Sequence, residues 1–167
     1  MPKLIKLTGE DFAEVDDAFT SVADDQDLPD GDVIVSFLRF QADGDRLLSE
    51  GRRVGVRLEP AEEPETLAYD LARLSVIALA FPKFRDGRAF TSAHVLKTRL
   101  GFTGEIRAVG DVVRDQAGFM VRCGFTAFEP ADGASVDAWA KSVQRHRHVY
   151  QRAADRRAPA FVEREGR

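Results

Sequence analysis

The sequence predicts an α/β fold: about five βα units forming an open parallel sheet or a partial (β/α) barrel in a single domain. Three observations predict it. Apolar runs of strand length recur along the chain, at Val33–Leu38, Val54–Leu58, Ser75–Phe81, Glu105–Val109 and Phe125–Phe128. Their starts lie about 20 to 30 residues apart, the spacing that parallel crossovers require. Between them stand segments with helical spacing and end signals. A complete eight-unit barrel takes about 250 residues, and this chain has 167.

The elements read as follows. Leu4–Leu7 is a short strand. Thr8 offers a helix cap, and Phe12, Val15 and Phe19 follow at helical spacing, which predicts a short amphipathic helix. Asp24–Asp32 contains Pro29 and Gly31 and reads as an acidic loop. After the Val33 strand, residues 40–50 form a helix weakened by Gly44 and closed by Gly51. Pro64 suits a first helical turn, and Leu67, Leu71 and Leu74 share one face. The near-continuous apolarity of Ser75–Phe81 predicts burial on both faces. Thr91 or Ser92 caps a helix that runs to Leu100 and stops at Gly101. Val112, Gln116, Phe119 and Cys123 recur at helical spacing, with Gly124 as the stop. Ser135 caps the last helix, where Trp139, Val143, His146 and Tyr150 form one stripe. The boundaries are a single domain over 1–151, with 1–31 as an acidic lead-in, and a frayed tail over 152–167.

Composition excludes several classes. Hydrophobic residues make up 44% and charged residues 31%, the balance of a globular protein. No apolar run approaches a membrane span. The start, Met1-Pro2-Lys3-Leu4-Ile5-Lys6, lacks the apolar core of a signal peptide, so the expected location is the cytoplasm. Cys123 is the one cysteine. It forms no internal disulfide, and an iron–sulfur cluster needs about four thiolates.

Charge is uneven along the chain. Residues 1–80 carry 8 basic and 18 acidic side chains, whereas residues 81–122 carry 8 basic and 4 acidic. A basic segment inside an acidic protein points to a local anion site rather than to nucleic acid, which favours a net basic domain.

In parallel α/β folds, ligands bind beyond the carboxyl ends of the strands. Two charged segments occupy that place: Pro82-Lys83-Phe84-Arg85-Asp86-Gly87-Arg88, and Gly110-Asp111-Val112-Val113-Arg114-Asp115-Gln116. Glu59 and Glu129 end two other strands and border it. Lys83, Arg85, Arg88 and Arg114 are the candidate ligand-binding residues, since guanidinium forks match sulfate, phosphate and carboxylate oxygens. A helix starting near Ser92 adds free N–H groups. Asp86, Asp111 and Asp115 are the candidate acid/base groups. Asp111 also suits a helix cap, and Arg114 in a first turn calls for a partner, with Asp86 as one choice. His146 and His148 diverge on a helix and make no metal pair. No glycine-rich dinucleotide motif and no phosphate-binding loop of the NTPase type is present. The chain therefore offers no recognisable cofactor motif.

The stretches Phe81-Pro82-Lys83-Phe84-Arg85-Asp86-Gly87-Arg88, Arg107-Ala108-Val109-Gly110-Asp111-Val112-Val113-Arg114-Asp115-Gln116 and Arg122-Cys123-Gly124-Phe125 together resemble the signature of DUF934. This is a bacterial family of unknown function to which an oxidoreductase role in sulfite reduction is ascribed. The resemblance covers most of residues 30–150 and is densest from Phe81 to Phe128. It implies a part in assimilatory sulfite or sulfate reduction. Sirohaem, iron–sulfur or flavin chemistry would then sit on a partner protein of a sulfite-reductase system, and this chain would take a small anionic ligand. Two alternatives stay open: a docking protein using the acidic front and the Trp139 helix, and a stand-alone acid/base enzyme acting on an anionic substrate.

Overall fold

The computed structural model describes residues 4–165. Eight strands form one sheet: β1 (Leu4–Thr8), β2 (Asp11–Val15), β3 (Phe19–Ser21), β4 (Asp32–Ser36), β5 (Val54–Leu58), β6 (Val76–Phe81), β7 (Glu105–Gly110) and β8 (Ala127–Phe128). Their order across the sheet is β2-β1-β8-β7-β6-β5-β4-β3. From β3 to β8 each strand pairs in parallel with the next. β1 pairs antiparallel with both β2 and β8. The sheet is thus mixed, which corrects the expectation of five purely parallel units.

Connectivity forces the sheet to curl. The outer strands β2 and β3 are joined by residues 16–18 alone. Four residue steps reach at most about 14 Å, yet seven strand spacings in a flat sheet span about 33 Å. The sheet therefore curls into a half-barrel, which draws the two edges towards each other.

Strand alternation divides the core in two. Val33, Val35, Val54, Val56, Leu58, Ile77, Leu79 and Phe81 face the helices and belong to the main core. Phe19, Ile34, Val76, Ala78, Ala80 and Val109 form a second cluster on the concave face. The helices α1 (Phe37–Ser49), α2 (Arg88–His94), α3 (Ala117–Cys123) and α4 (Val136–Gln144) contribute Phe40, Leu47, Ala93, Leu96 just beyond α2, Met120 and Trp139 to the main core. β6 is buried along its whole length, as its apolarity predicts.

Four expectations fail, each for a physical reason. The segment 8–19 is not a helix. Thr8 and Asp11 pair across a two-residue turn with Gly9 at φ 66°, a left-handed turn position that glycine fills without steric cost. A short isolated helix is marginal in water. Pairing along β1 instead satisfies the backbone and lets Phe12 pack on Phe128, with ring centroids 6.2 Å apart. The β5–β6 crossover is two 3₁₀ turns, Pro64–Leu67 and Leu71–Arg73, rather than one helix. Its leucines are nonetheless buried, because a spacing of three or four residues serves either helix type. The helix expected from Thr91 or Ser92 begins at Arg88, with Gly87 at the cap position where a residue without side chain turns the chain into the helix, and the Asp86 carboxylate accepts the Arg88 N–H at 3.3 Å. The last stripe is cut short. α4 ends at Gln144, with Ser135 capping it as expected, so Trp139 is fully buried and Tyr150 lies exposed beyond the helix.

The segment after Tyr150 returns to the body of the protein. Ala154 N–H donates to the Arg122 carbonyl at 3.0 Å. A short helix, α5 (Ala160–Glu165), follows. No helix among the described residues is long and apolar enough to cross a membrane.

Candidate functional site

The parallel pairing of β6 with β7, with Phe81 opposite Gly110, ends both strands at one edge. The two charged loops therefore meet. The Phe84 N–H donates to the Asp111 carboxylate at 2.8 Å. The Gln116 amide donates to the Phe84 carbonyl at 3.2 Å. The Asp111 N–H in turn reaches the Phe81 carbonyl at 2.7 Å. The loops are cross-tied at three points, each placing a backbone group against a partner.

The predicted residues divide by what they touch. Asp86 and Arg88 hold each other in a two-pronged pair, at 3.0 and 2.7 Å. The Arg88 bond is the main reason the Asp86 carboxyl lies below its ordinary value. Asp111 is a loop tie rather than a helix cap. Lys83, Arg85 and Arg114 are exposed and pair with no carboxylate among the described residues. Arg114 therefore does not reach Asp86, and its own N–H is taken by Asp132 at 3.3 Å. Asp115 is exposed beside it. Phe84 and Phe119 stand 47% and 58% exposed.

Sequence reasoning missed Arg107. Its side chain is fully buried on the concave face. It donates to Glu105 at 2.7 Å, to Asp17 at 2.6 and 3.0 Å, and to Glu129 at 3.1 Å. Lys6 bridges Glu105 at 2.6 Å. Burial works against the Arg107 charge, but the Asp17 and Glu105 carboxylates outweigh it and raise its pKa. Burial likewise pushes Asp17 up, but the bonds from Arg107 and the Phe19 N–H hold it below the usual value. Asp17 lies in the three-residue link, so this cluster fastens the curled edge. A lone arginine at an inward position of a buried strand is the signal that would have found it. Glu129, expected to border the site, is committed here. Glu59 pairs with Arg57 at 2.9 Å.

A second group at the carboxyl ends gathers around a cavity of about 440 Å³ between β3 and β5. The Ser36 hydroxyl donates to Asp24 at 2.5 Å while accepting the Arg39 N–H at 3.0 Å. Arg39 itself clamps the carbonyls of Ala23 and Gln26 at 2.8 and 2.7 Å. These polar groups are mutually satisfied, so they shape the loop after β3.

Cys123 packs against the main core. Burial pushes its thiol up to about 11, with Arg122 pulling the other way. Iodoacetamide should therefore label Cys123 on the order of 100-fold more slowly than free cysteine at pH 8, where a high pKa leaves little thiolate. Labelling at the free rate would show that the thiol is neither shielded nor raised.

No curated protein matches this chain. One family model, described as bacterial protein of unknown function (DUF934), matches residues 55–161. That span runs from β5 through the start of α5 and takes in both charged loops and Arg107. Since it covers well over half of the residues, the chain belongs to the DUF934 family.

Proposed function

We propose that this protein is an accessory component of assimilatory sulfite reduction. It binds a small anion, either a sulfur oxyanion or a phosphate-bearing ligand, beyond the carboxyl ends of β6 and β7. One observation carries the reading: Lys83, Arg85 and Arg114 stand exposed and unneutralised on two loops that are cross-tied through Phe84, Asp111 and Gln116. Unneutralised cations on two adjoining loops raise the local positive potential, which attracts an anion. The ties fix the loops before the ligand arrives, which lowers the ordering cost of binding. The sulfite assignment rests on the role ascribed to the family. Redox chemistry then belongs to a partner carrying sirohaem, an iron–sulfur cluster or flavin.

Thermal melts with sulfite, sulfate, phosphate and adenylyl sulfate test this reading. A ligand at about 100 times Kd stabilises the folded state by about 2.7 kcal/mol, which is several degrees for a domain of this size. Arg85→Ala and Arg114→Ala should each weaken the effective anion about 10-fold or more, the worth of a charge-assisted hydrogen bond. Flat melts with every anion, or shifts unchanged in the double variant, would sink the proposal.

Docking of a protein partner at the same loops has its own support in Phe84, since a half-exposed aromatic ring next to Arg85 in the chain suits an interface centre. On that reading Phe84→Ala releases a purified sulfite reductase from this chain while small anions leave the melt unmoved. Trp139 is itself buried, so its ring is not part of such a surface.

A further inference from the structure

At the opposite end of the strands, away from the charged loops, lies a cleft of about 680 Å³. That volume falls within the range of small-molecule sites. It opens between the β1–β2 hairpin, the approach to β8 and the chain that follows α4. Leu7, Phe12, Val121, Phe125 and Val143 supply its apolar floor. Lys97, Arg147 and Arg157 stand on its lining.

The charge of the rim is unbalanced. Lys97 and Arg147 have no ion-pair partner among the described residues. Arg157 donates to the carbonyls of His146 and Arg147 at 3.2 and 2.8 Å, and carbonyls do not neutralise it. Of the two carboxylates on the lining, Asp155 is paired with Arg122 at 3.3 Å, which leaves Glu10. The cleft therefore joins an apolar bed to net positive charge.

The wall is fastened as well. Arg122 donates to the Gln151 carbonyl at 2.6 Å, and its own carbonyl accepts the Ala154 N–H. These bonds hold the chain after α4 across the cleft.

We infer that this cleft binds an amphiphilic anion, an apolar chain or ring system bearing one carboxylate or sulfonate. The apolar body covers the Phe12, Val121, Phe125 and Val143 side chains. The acid group meets Lys97 and Arg147. A neutral molecule of the same shape gains only the first contribution and leaves both cations unmet. This site is independent of the Lys83–Arg114 loops.

The test uses the full chain and the fluorescent probe anilinonaphthalene sulfonate, with decanoate and decanol as competitors. The expected result is saturable one-to-one binding, displaced by decanoate at concentrations about 10-fold or more below those needed with decanol. The double variant Lys97→Ala/Arg147→Ala should weaken probe and decanoate about 10-fold while leaving decanol unchanged. Val143→Trp, which fills the floor, should weaken all three. If Val143→Trp fails to fold, the charge variant decides, because Arg147 is exposed and Lys97 only partly buried. Equal displacement by decanol and decanoate, probe binding that does not saturate, or full affinity in the charge variant would overturn the inference.

Discussion

Replacing Arg107 with methionine is expected to destabilise the protein by about 3–5 kcal/mol, the cost of stranding buried charge after one partner is removed. The substitution leaves Asp17, Glu105 and Glu129 converging on one fully buried position. It also unfastens the link between β2 and β3, so the loss should appear as weakened curl as well as lower stability. Urea unfolding measures it, with Arg73→Ala as a control. Arg73 is half exposed and pairs loosely with Asp70 and Asp45 at 3.5 and 3.6 Å, and pairs of that kind are worth about 1 kcal/mol or less. A loss at Arg107 no larger than at Arg73 would show that other contacts hold the edge.

The same cluster sets a pH dependence. Asp17 has a folded pKa below its unfolded value of 3.8. Its contribution is therefore fully present above that value and is lost as the pH falls through the folded pKa. In Arg107→Met that contribution is gone, and the converging carboxylates gain by protonation. The stability gap between the natural protein and the variant should be widest near neutral pH and should narrow below about pH 4. A gap that stays constant through the acid range would mean that the bonds to Arg107 are electrostatically inert.

Gly110→Ala is the second large effect. Gly110 has φ 95°, and a Cβ there would stand 2.5 Å from the Phe81 carbonyl oxygen. That oxygen belongs to backbone in β6 and also accepts the Asp111 N–H, so it cannot swing aside as a side chain would. Left-handed strain of about 1–2 kcal/mol adds to overpacking of about 1–3 kcal/mol. A total loss of about 3 kcal/mol is expected in urea unfolding. Because the clash moves the β7 end against the β6 end, the tie between Phe84 and Asp111 should loosen and anion affinity should fall with stability. Gly9→Ala is the matched control. Gly9 also has positive φ, at 66°, but open space surrounds it, so only the conformational strain applies. If both variants lose the same stability, the contact with Phe81 is not what fixes glycine at 110.

The loop residues show where local reading of the sequence stops. Lys83, Arg85 and Arg114 are legible as candidates, because charge at the end of an apolar strand is a local pattern. That Asp111 serves the Phe84 N–H, and that Asp86 turns to Arg88 rather than to Arg114, depends on how far apart two loops come to rest.

By itself, the sequence determined the elements whose causes are local. The apolar runs at β4, β5, β6 and β7 bury themselves wherever they lie, Ser135 caps α4 by accepting the Ala138 N–H three residues on, and Gly51, Gly101 and Gly124 take the positive φ that ends a segment. Tertiary structure alone decided the pairing of Ile5 with Phe128, the curl demanded by the link 16–18, and the gathering of Asp17, Glu105 and Glu129 around Arg107. Ile5 and Phe128 stand at opposite ends of the chain, and Asp17 and Arg107 are 90 residues apart. Hydrophobic periodicity records which side of an element is buried. It carries no record of which distant partner meets that side, because any apolar face or opposite charge of suitable shape satisfies the same local pattern.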